Sequence, residues 1–165
     1  MTELPGLDIR YTTLLDAPHL HSWLSAEGML HFFPLSEDKE VEDAISCWIG
    51  FSRFGCSLTA TLNQEPCGIG TLFLMPYRKV AHHCMFKIIV DPRHQRRGIG
   101  SSLLKNLKHL AKNYFRLELM HIEIYEGNPI IKLLQAQGFH EFARQERYVK
   151  EGGHTLARIL MESFL

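Results

Sequence analysis

Residues 88–139 read IIVDPRHQRRGIGSSLLKNLKHLAKNYFRLELMHIEIYEGNPIIKLLQAQGF, and the order of patterns in this stretch decides the fold. A strand from Val80 to Val90, rich in branched and apolar residues, ends at Asp91-Pro92, where proline removes a donor from the ladder. A helix starting near Gly98 then buries Leu103, Leu104, Leu107, Leu110, Ala111 and Tyr114 at steps of three and four, with Lys105, Lys108 and Lys112 toward water. Leu117 to Tyr125 is the next strand. Asn128-Pro129 opens a short helix that Gly138 closes as a left-handed cap, and Phe139 begins another strand. Strand, helix, strand, helix, strand predicts a partly parallel sheet with a crossover.

The turn DPRHQRRGIG between the first strand and the helix is suited to an anion. Amides of a first helical turn have no internal acceptors, glycine lets a bulky anion approach them, and the helix end carries partial positive charge. A tight helix start explains Gly98 and Gly100 equally well, so both readings stand. The turn is not a Walker loop, since GxxxxGK[ST] is absent, and not a dinucleotide fingerprint, since GxGxxG is absent. Arg93, Arg96 and Arg97 either add phosphate contacts or form a solvated face.

Working outward, SLTATL from Ser57 and CGIGTLFLM from Cys67 form a hairpin around NQEP, with Gly68 and Gly70 leaving room on one face. Ile9 to Leu14 is an edge strand. Asp16 caps a short helix whose buried face is Leu20, Trp23 and Leu24. The aromatic loop His31, Phe32, Phe33, Pro34 is either edge packing or the wall of a pocket. Ser36 caps a helix to about Gly50 with Val41, Ala44, Ile45, Trp48 and Ile49 inside. At the other end, Phe139 to Val149 and His154 to Met161 are strands joined by KEGG. Repeats, linkers and low-complexity tracts are absent.

At 165 residues, 45% hydrophobic and 22% charged, the chain suits one domain over residues 1–165 and excludes disordered, collagen-like and coiled-coil classes. Eighteen basic and eighteen acidic residues cancel, so no general attraction for nucleic acid is expected. Cys47, Cys56, Cys67 and Cys84 lack CxxC spacing, which predicts a reducing, cytoplasmic location. The opening MTELPGLDIR lacks a basic region followed by an apolar run, and no long apolar stretch predicts a membrane span.

Gln95-Arg96-Arg97-Gly98-Ile99-Gly100 matches the pattern [Gln/Arg]-x-x-Gly-x-[Gly/Ala], and Asn128 to Phe139 matches an Asn-opened helix ending in Gly-Phe. On these two ordered signatures the chain resembles the GNAT superfamily of acetyl-coenzyme A dependent N-acetyltransferases. The resemblance implies an α/β fold with a mixed central sheet flanked by helices, acetyl-CoA as cosubstrate, and direct transfer to a primary amine in a ternary complex. It implies that the coenzyme lies against Ile88, Ile89 and Val90 and that amides around Gln95, Arg96, Arg97, Gly98, Ile99, Gly100 and Ser101 hold its pyrophosphate. Asn128 is then either a coenzyme contact or only a helix cap. The oxyanion donor is expected to be a backbone N–H near Ile89.

Acyl transfer to an amine needs removal of a proton, a donor to the carbonyl oxygen and protonation of the departing sulfur. His82 and His83 alternate across the strand, and His83 is favoured to face the acceptor. Glu123, with His121 on the same face, is a second candidate for holding a water or the ammonium. Many relatives have a carboxylate on the strand before the loop and a tyrosine near the second signature. This chain has neither: residues 80–90 hold no carboxylate, and Leu134 occupies the tyrosine's place. Three options remain for that role: another residue donates the proton, with Tyr125 the candidate and Tyr148 a weaker one, water donates it, or the thiolate departs unaided. Cys84 reads as strand packing. No metal is expected, because HExxH and CxxC are absent. The acceptor expected is a small-molecule primary amine; a protein or peptide amine and a non-catalytic coenzyme-binding module are the alternatives. Neither nucleic acid nor membrane is an expected partner, and a homodimer through an exposed sheet edge stays open.

Overall fold

Described over residues 4–165 in a computed structural model, the chain runs β1 (Leu7–Tyr11), α1 (Ala17–Leu24), α2 (Asp38–Gly50), β2 (Ser57–Leu62), β3 (Glu65–Leu74), β4 (His83–Val90), α3 (Ile99–His109), β5 (Leu119–Tyr125), α4 (Ile130–Ala136), β6 (His140–Glu151) and β7 (His154–Phe164). The strands form one seven-stranded sheet in the order β1-β2-β3-β4-β5-β7-β6. The mixed α/β class read from the sequence is the one observed. Only β4 and β5 run parallel, as the helical crossover between them requires.

Strand alternation sorts the side chains into two cores. On one face Cys84, Phe86 and Ile88 of β4 pack with Ile122, Ile124, Ile159 and Met161 against α3 and α4. On the other face Ile69 and Ile89 pack with Leu20, Trp23, Leu24, Val41, Ile45 and Trp48 from α1 and α2. Gly68 and Gly70 set the first layer's spacing. A Cβ on Gly70 would lie 3.2 Å from Leu107 Cδ2, and one on Gly68 would lie 3.1 Å from the Ile89 carbonyl oxygen, so α3 rests its leucines where side chains are missing.

Under α1 and α2 a chain of polar contacts crosses three strands. Asp16, 2% exposed, accepts from both terminal nitrogens of Arg10 at 2.8 Å and from Thr59 Oγ1 at 3.0 Å. Thr12, Thr59, Ser57 and Thr71 continue it through their hydroxyls, and the Trp48 indole N–H ends it on Thr71 Oγ1 at 2.8 Å. Asp16 therefore does not cap α1, as its position suggested. Its carboxylate instead takes the Thr13 amide at 3.0 Å and closes the preceding 3-10 turn, Leu14–Asp16.

Other boundaries also differ from expectation for physical reasons. The edge strand ends at Tyr11, before that turn, and β4 starts at His83 because Arg78–Val80 forms a 3-10 turn closed by Val80 N–H on the Tyr77 carbonyl. The hairpin turn is only Asn63-Gln64, both at positive φ, as a tight two-residue reversal demands. Tyr114 is 68% exposed rather than buried. The helical periodicity breaks there: Leu110–Tyr114 is a π-turn, closed by Phe115 N–H on the Leu110 carbonyl, which rotates the face away from the sheet. Lys108 is not simply solvated either, since its ammonium donates to the Gln137 carbonyl at 2.6 Å and lies over the Phe139 ring.

Candidate active site

β4 and β5 pair only at His83↔Leu119, Cys84↔Met120 and Met85↔His121, then separate. The register of the neighbouring ladder fixes which peptides face the opening. Asp91 N–H donates to the Cys67 carbonyl of the β3 side at 2.8 Å, so on the two-residue period Ile89 and Lys87 also turn their peptides toward β3. Ile88 and Val90 present theirs to the opening. The donor expected near Ile89 is therefore the N–H of Ile88 or Val90, while the Ile89 side chain packs under α1 and α2.

The opening leads into a groove of about 410 Å³ that runs to the start of α3. Ile88, Ile89, Val90, Gln95, Arg96, Gly98, Gly100, Ser101 and Asn128 line it, together with Met29, Phe32 and Phe33. Two residues of the expected set do not. Ile99 is 1% exposed and turned into the core, and the Arg97 guanidinium meets His94 Nδ1 at 3.1 Å. At the head of α3 the first helical bond is Ser102 N–H to the Gly98 carbonyl. The amides of Ile99, Gly100 and Ser101 precede it and have no intrahelical acceptor, and Gly98 has no side chain to cap them.

The two glycines have different reasons. Gly98 has φ +83°, and a Cβ built on it meets nothing within 4 Å, so its missing side chain widens the groove. A Cβ on Gly100 would meet Leu133 Cδ2 at 3.1 Å, so that glycine seats α3 against α4. Free first-turn amides beside an open, side-chain-free approach fit a diphosphate. Asn128 serves as a cap, since its Oδ1 accepts the Ile130 amide at 3.0 Å, and it also lines the groove.

Over the paired part of β4 and β5, on the α1–α2 side, lies a second cavity of about 410 Å³ lined by His83, Met85, Leu119, His121, Glu123, Phe142, Arg158, Leu160 and Glu162. The candidates His83 and Glu123 thus share one cavity, and the His83 and His121 rings stand 5.5 Å apart. Burial, then the neighbouring His83, holds the His121 imidazole below its ordinary value, against a smaller opposing pull from Glu162. His121 is consequently uncharged at neutral pH. Tyr125 lines neither cavity: it is buried, with its ring 6.2 Å from that of Tyr148. Burial, with Glu123 and Tyr148, pushes its phenol up to about 12. A phenol that weakly acidic is poorly matched to protonating a thiolate of ordinary pKa about 8.5. Leu134 is fully buried in the core. Of the aromatic loop, Phe32 and Phe33 wall the groove, whereas His31 points to Glu151 at the β6–β7 hairpin, 3.8 Å away.

Sequence reasoning passed over Arg158, Phe142 and Glu162. Arg158, Leu160 and Glu162 share a face at two-residue spacing, which is a signal, but only the placement of β7 beside β5 shows which face it is. No thiol lines the groove or the second cavity. Burial raises Cys56 and Cys67 to about 11 and Cys84 to about 12, and only Cys47 is exposed. A disulfide reagent at about pH 8 should therefore titrate one thiol per native chain and all four in denaturant. Rapid reaction of a second thiol in the native protein would contradict this burial.

The family model described as Acetyltransferase (GNAT) family matches residues 18–139. The chain is similar to the L-amino acid N-acetyltransferase AaaT of Escherichia coli (strain K12), at 25% identity over 97 residues, 58% of this chain and 60% of that protein. The match thus spans less than two thirds of that relative. Among solved structures it resembles the ribosomal-protein-alanine N-acetyltransferase from Brucella melitensis, with TM-score 0.80, 21% identity and 96% and 99% of the two chains covered. It also resembles yncA, a putative acetyltransferase from Salmonella typhimurium solved with its cofactor acetyl-CoA, with TM-score 0.81, 19% identity and coverage of 97% and 94%. At these identities the structures share the fold. Among the described residues, no helix is long and apolar enough to cross a membrane.

Proposed function

Since the chain belongs to the acetyltransferase (GNAT) family, we propose that it moves an acetyl group from acetyl-CoA to the primary amine of a small molecule by direct transfer within a ternary complex. The observation that carries this reading is the groove itself, in which unpaired amides at the head of α3 stand beside the separated ends of β4 and β5; a charged cavity on the α1–α2 face of the same two strands supplies room for an acceptor. Bound in the groove, acetyl-CoA supplies an acetyl carbonyl already activated as a thioester.

The protein's own residues do the rest. The first-turn amides of α3 hold the diphosphate, and the Ile88 or Val90 N–H meets the carbonyl oxygen. An alkyl amine of ordinary pKa near 10 is almost wholly protonated at neutral pH, on the order of one part in a thousand free base. Glu123 attracts that ammonium, and His121, uncharged at this pH, accepts its proton directly or through water. The cysteines take no part, which favours direct transfer over an acyl-enzyme. A cavity of about 410 Å³ has the size of a small-molecule site. The activity named for the similar Escherichia coli protein is also N-acetylation of a small molecule.

Calorimetric titration with acetyl-CoA, followed by thiol release in the presence of a mixed amine panel, tests the reading. One coenzyme per chain and amine-dependent thiol release are expected. Tight binding without release on any amine would make the chain a coenzyme-binding module instead.

A further inference from the structure

Three charged residues line the cavity over β4 and β5: Glu162 lies 3.5 Å from His140 Nε2, while Glu123 and Arg158 do not satisfy each other. Glu123 Oε2 stands 3.6 Å from Arg158 Nη1, close enough for attraction and too far for a hydrogen bond. The guanidinium is nonetheless held in place: Nη2 donates to Gln145 Oε1 at 2.8 Å, and Cζ lies 4.3 Å from the Tyr148 ring centroid. Its Nε is buried and donates to no described residue. Nη1, on the Glu123 side, makes no hydrogen bond to a described residue, and a planar guanidinium fixed in this way offers that N–H to an anion such as a carboxylate.

The spacing limits the ligand further. In an α-amino acid the amine nitrogen and the carboxylate oxygens are about 3 Å apart by standard bond lengths. That is the span a ligand needs to meet neighbouring opposite charges in one step; a longer ω-amino acid would have to fold back. Below the pair, Met85, Leu119 and Leu160 form an apolar floor and Phe142 stands at one side. Strand order gives the direction, because β5 lies between β4 and β7. Glu123 is therefore the charge nearer the opening and Arg158 the farther.

Building on the acetyltransferase reading, we infer that the acceptor is an α-amino acid with an apolar side chain, its ammonium held by Glu123, its carboxylate by Arg158, and its side chain on the Met85, Leu119 and Leu160 floor. Arg158 is thereby a specificity-determining residue that recognises the acceptor and does not contact the coenzyme.

The test compares leucine, leucinamide and isopentylamine as acceptors for the wild type, Arg158→Gln and Arg158→Lys, with coenzyme affinity measured in parallel. The wild type is expected to favour leucine over both analogues by about 10- to 100-fold in kcat/KM, the range for one charge-assisted contact. Arg158→Gln should lose that preference, with KM for leucine rising far more than kcat falls, while coenzyme affinity stays within about threefold. Arg158→Lys keeps the charge without the planar fork and should retain part of it, which also guards against a Gln variant that fails to fold. Equal use of leucine and its analogues by the wild type, or an equal fall on all three acceptors in a folded Arg158 variant, overturns the inference and leaves acetyl transfer standing. Absence of thiol release with every amine defeats the underlying reading itself.

Discussion

Replacing Gly98 by valine should weaken acetyl-CoA binding by about 10- to 100-fold and leave the relative use of different amines unchanged. The residue has φ +83°, a conformation that costs a non-glycine residue roughly 1–2 kcal/mol. A Cβ there meets no protein atom within 4 Å, so the added bulk falls in the groove rather than in the core. It stands between the diphosphate and the amides of Ile99, Gly100 and Ser101. Loss of one hydrogen bond to a charged group is worth about 1.5–3 kcal/mol, which converts to the stated range. Calorimetric titration of a variant with wild-type circular dichroism measures it, and unchanged affinity would remove the amide cradle from the coenzyme site. Valine at Gly100 is a useful contrast, because there the new atoms meet Leu133 and the loss should register in thermal melting.

Asp16→Ala should destabilise the protein by about 3 kcal/mol, although the residue is remote from the groove. The substitution leaves the Thr13 amide and Thr59 hydroxyl without their acceptor and Arg10 without its partner. Burial alone would raise the Asp16 carboxyl, but bonds from Arg10, Thr13 and Thr59 outweigh it and hold it below its usual 3.8. Asp91 is lowered in the same way, with burial opposed by Arg93. A lowered folded value means that the unfolded chain binds more protons, so this stabilisation is complete above the unfolded value near 3.8 and disappears as pH falls through the folded one. Urea unfolding from about pH 7 to about pH 3 should show a smaller acid loss in the variant, which keeps only Asp91 of the two. Parallel pH curves for the two proteins would show that Asp16 is not lowered by the fold.

The features legible in the chain are those carried by local repetition. Leu103, Leu104 and Leu107 lie on one helical face, and Gly98 and Gly100 mark the turn before it, so the groove at the head of α3 could be read from the chain alone. The helix end could not be read the same way, because the π-turn at Leu110–Tyr114 changes the period without a breaker residue to announce it. The acceptor side is harder for a topological reason. β7 inserts between β5 and β6, so Glu123, Arg158 and Phe142 meet from three strands whose spatial order is not their chain order. The choice between Ile88 and Ile89 as a peptide facing the opening likewise depends on a register set by Cys67, far away in sequence. Tyr125 shows the limit of proximity arguments, since a residue at the end of the correct strand turns into packing against Tyr148.

The two layers of side chains on opposite faces of the sheet separate what must be kept from what is free to vary. The leucines of α3, seated over Gly68 and Gly70, belong to the first layer, while Phe32 and Phe33 pack on the second and the charged cavity sits beside it. Exchange of a cavity residue such as Arg158 for one of another charge leaves the head of α3 and its free amides anchored. Descendants of this chain can thus acquire new acceptors one substitution at a time without first surrendering their acyl donor.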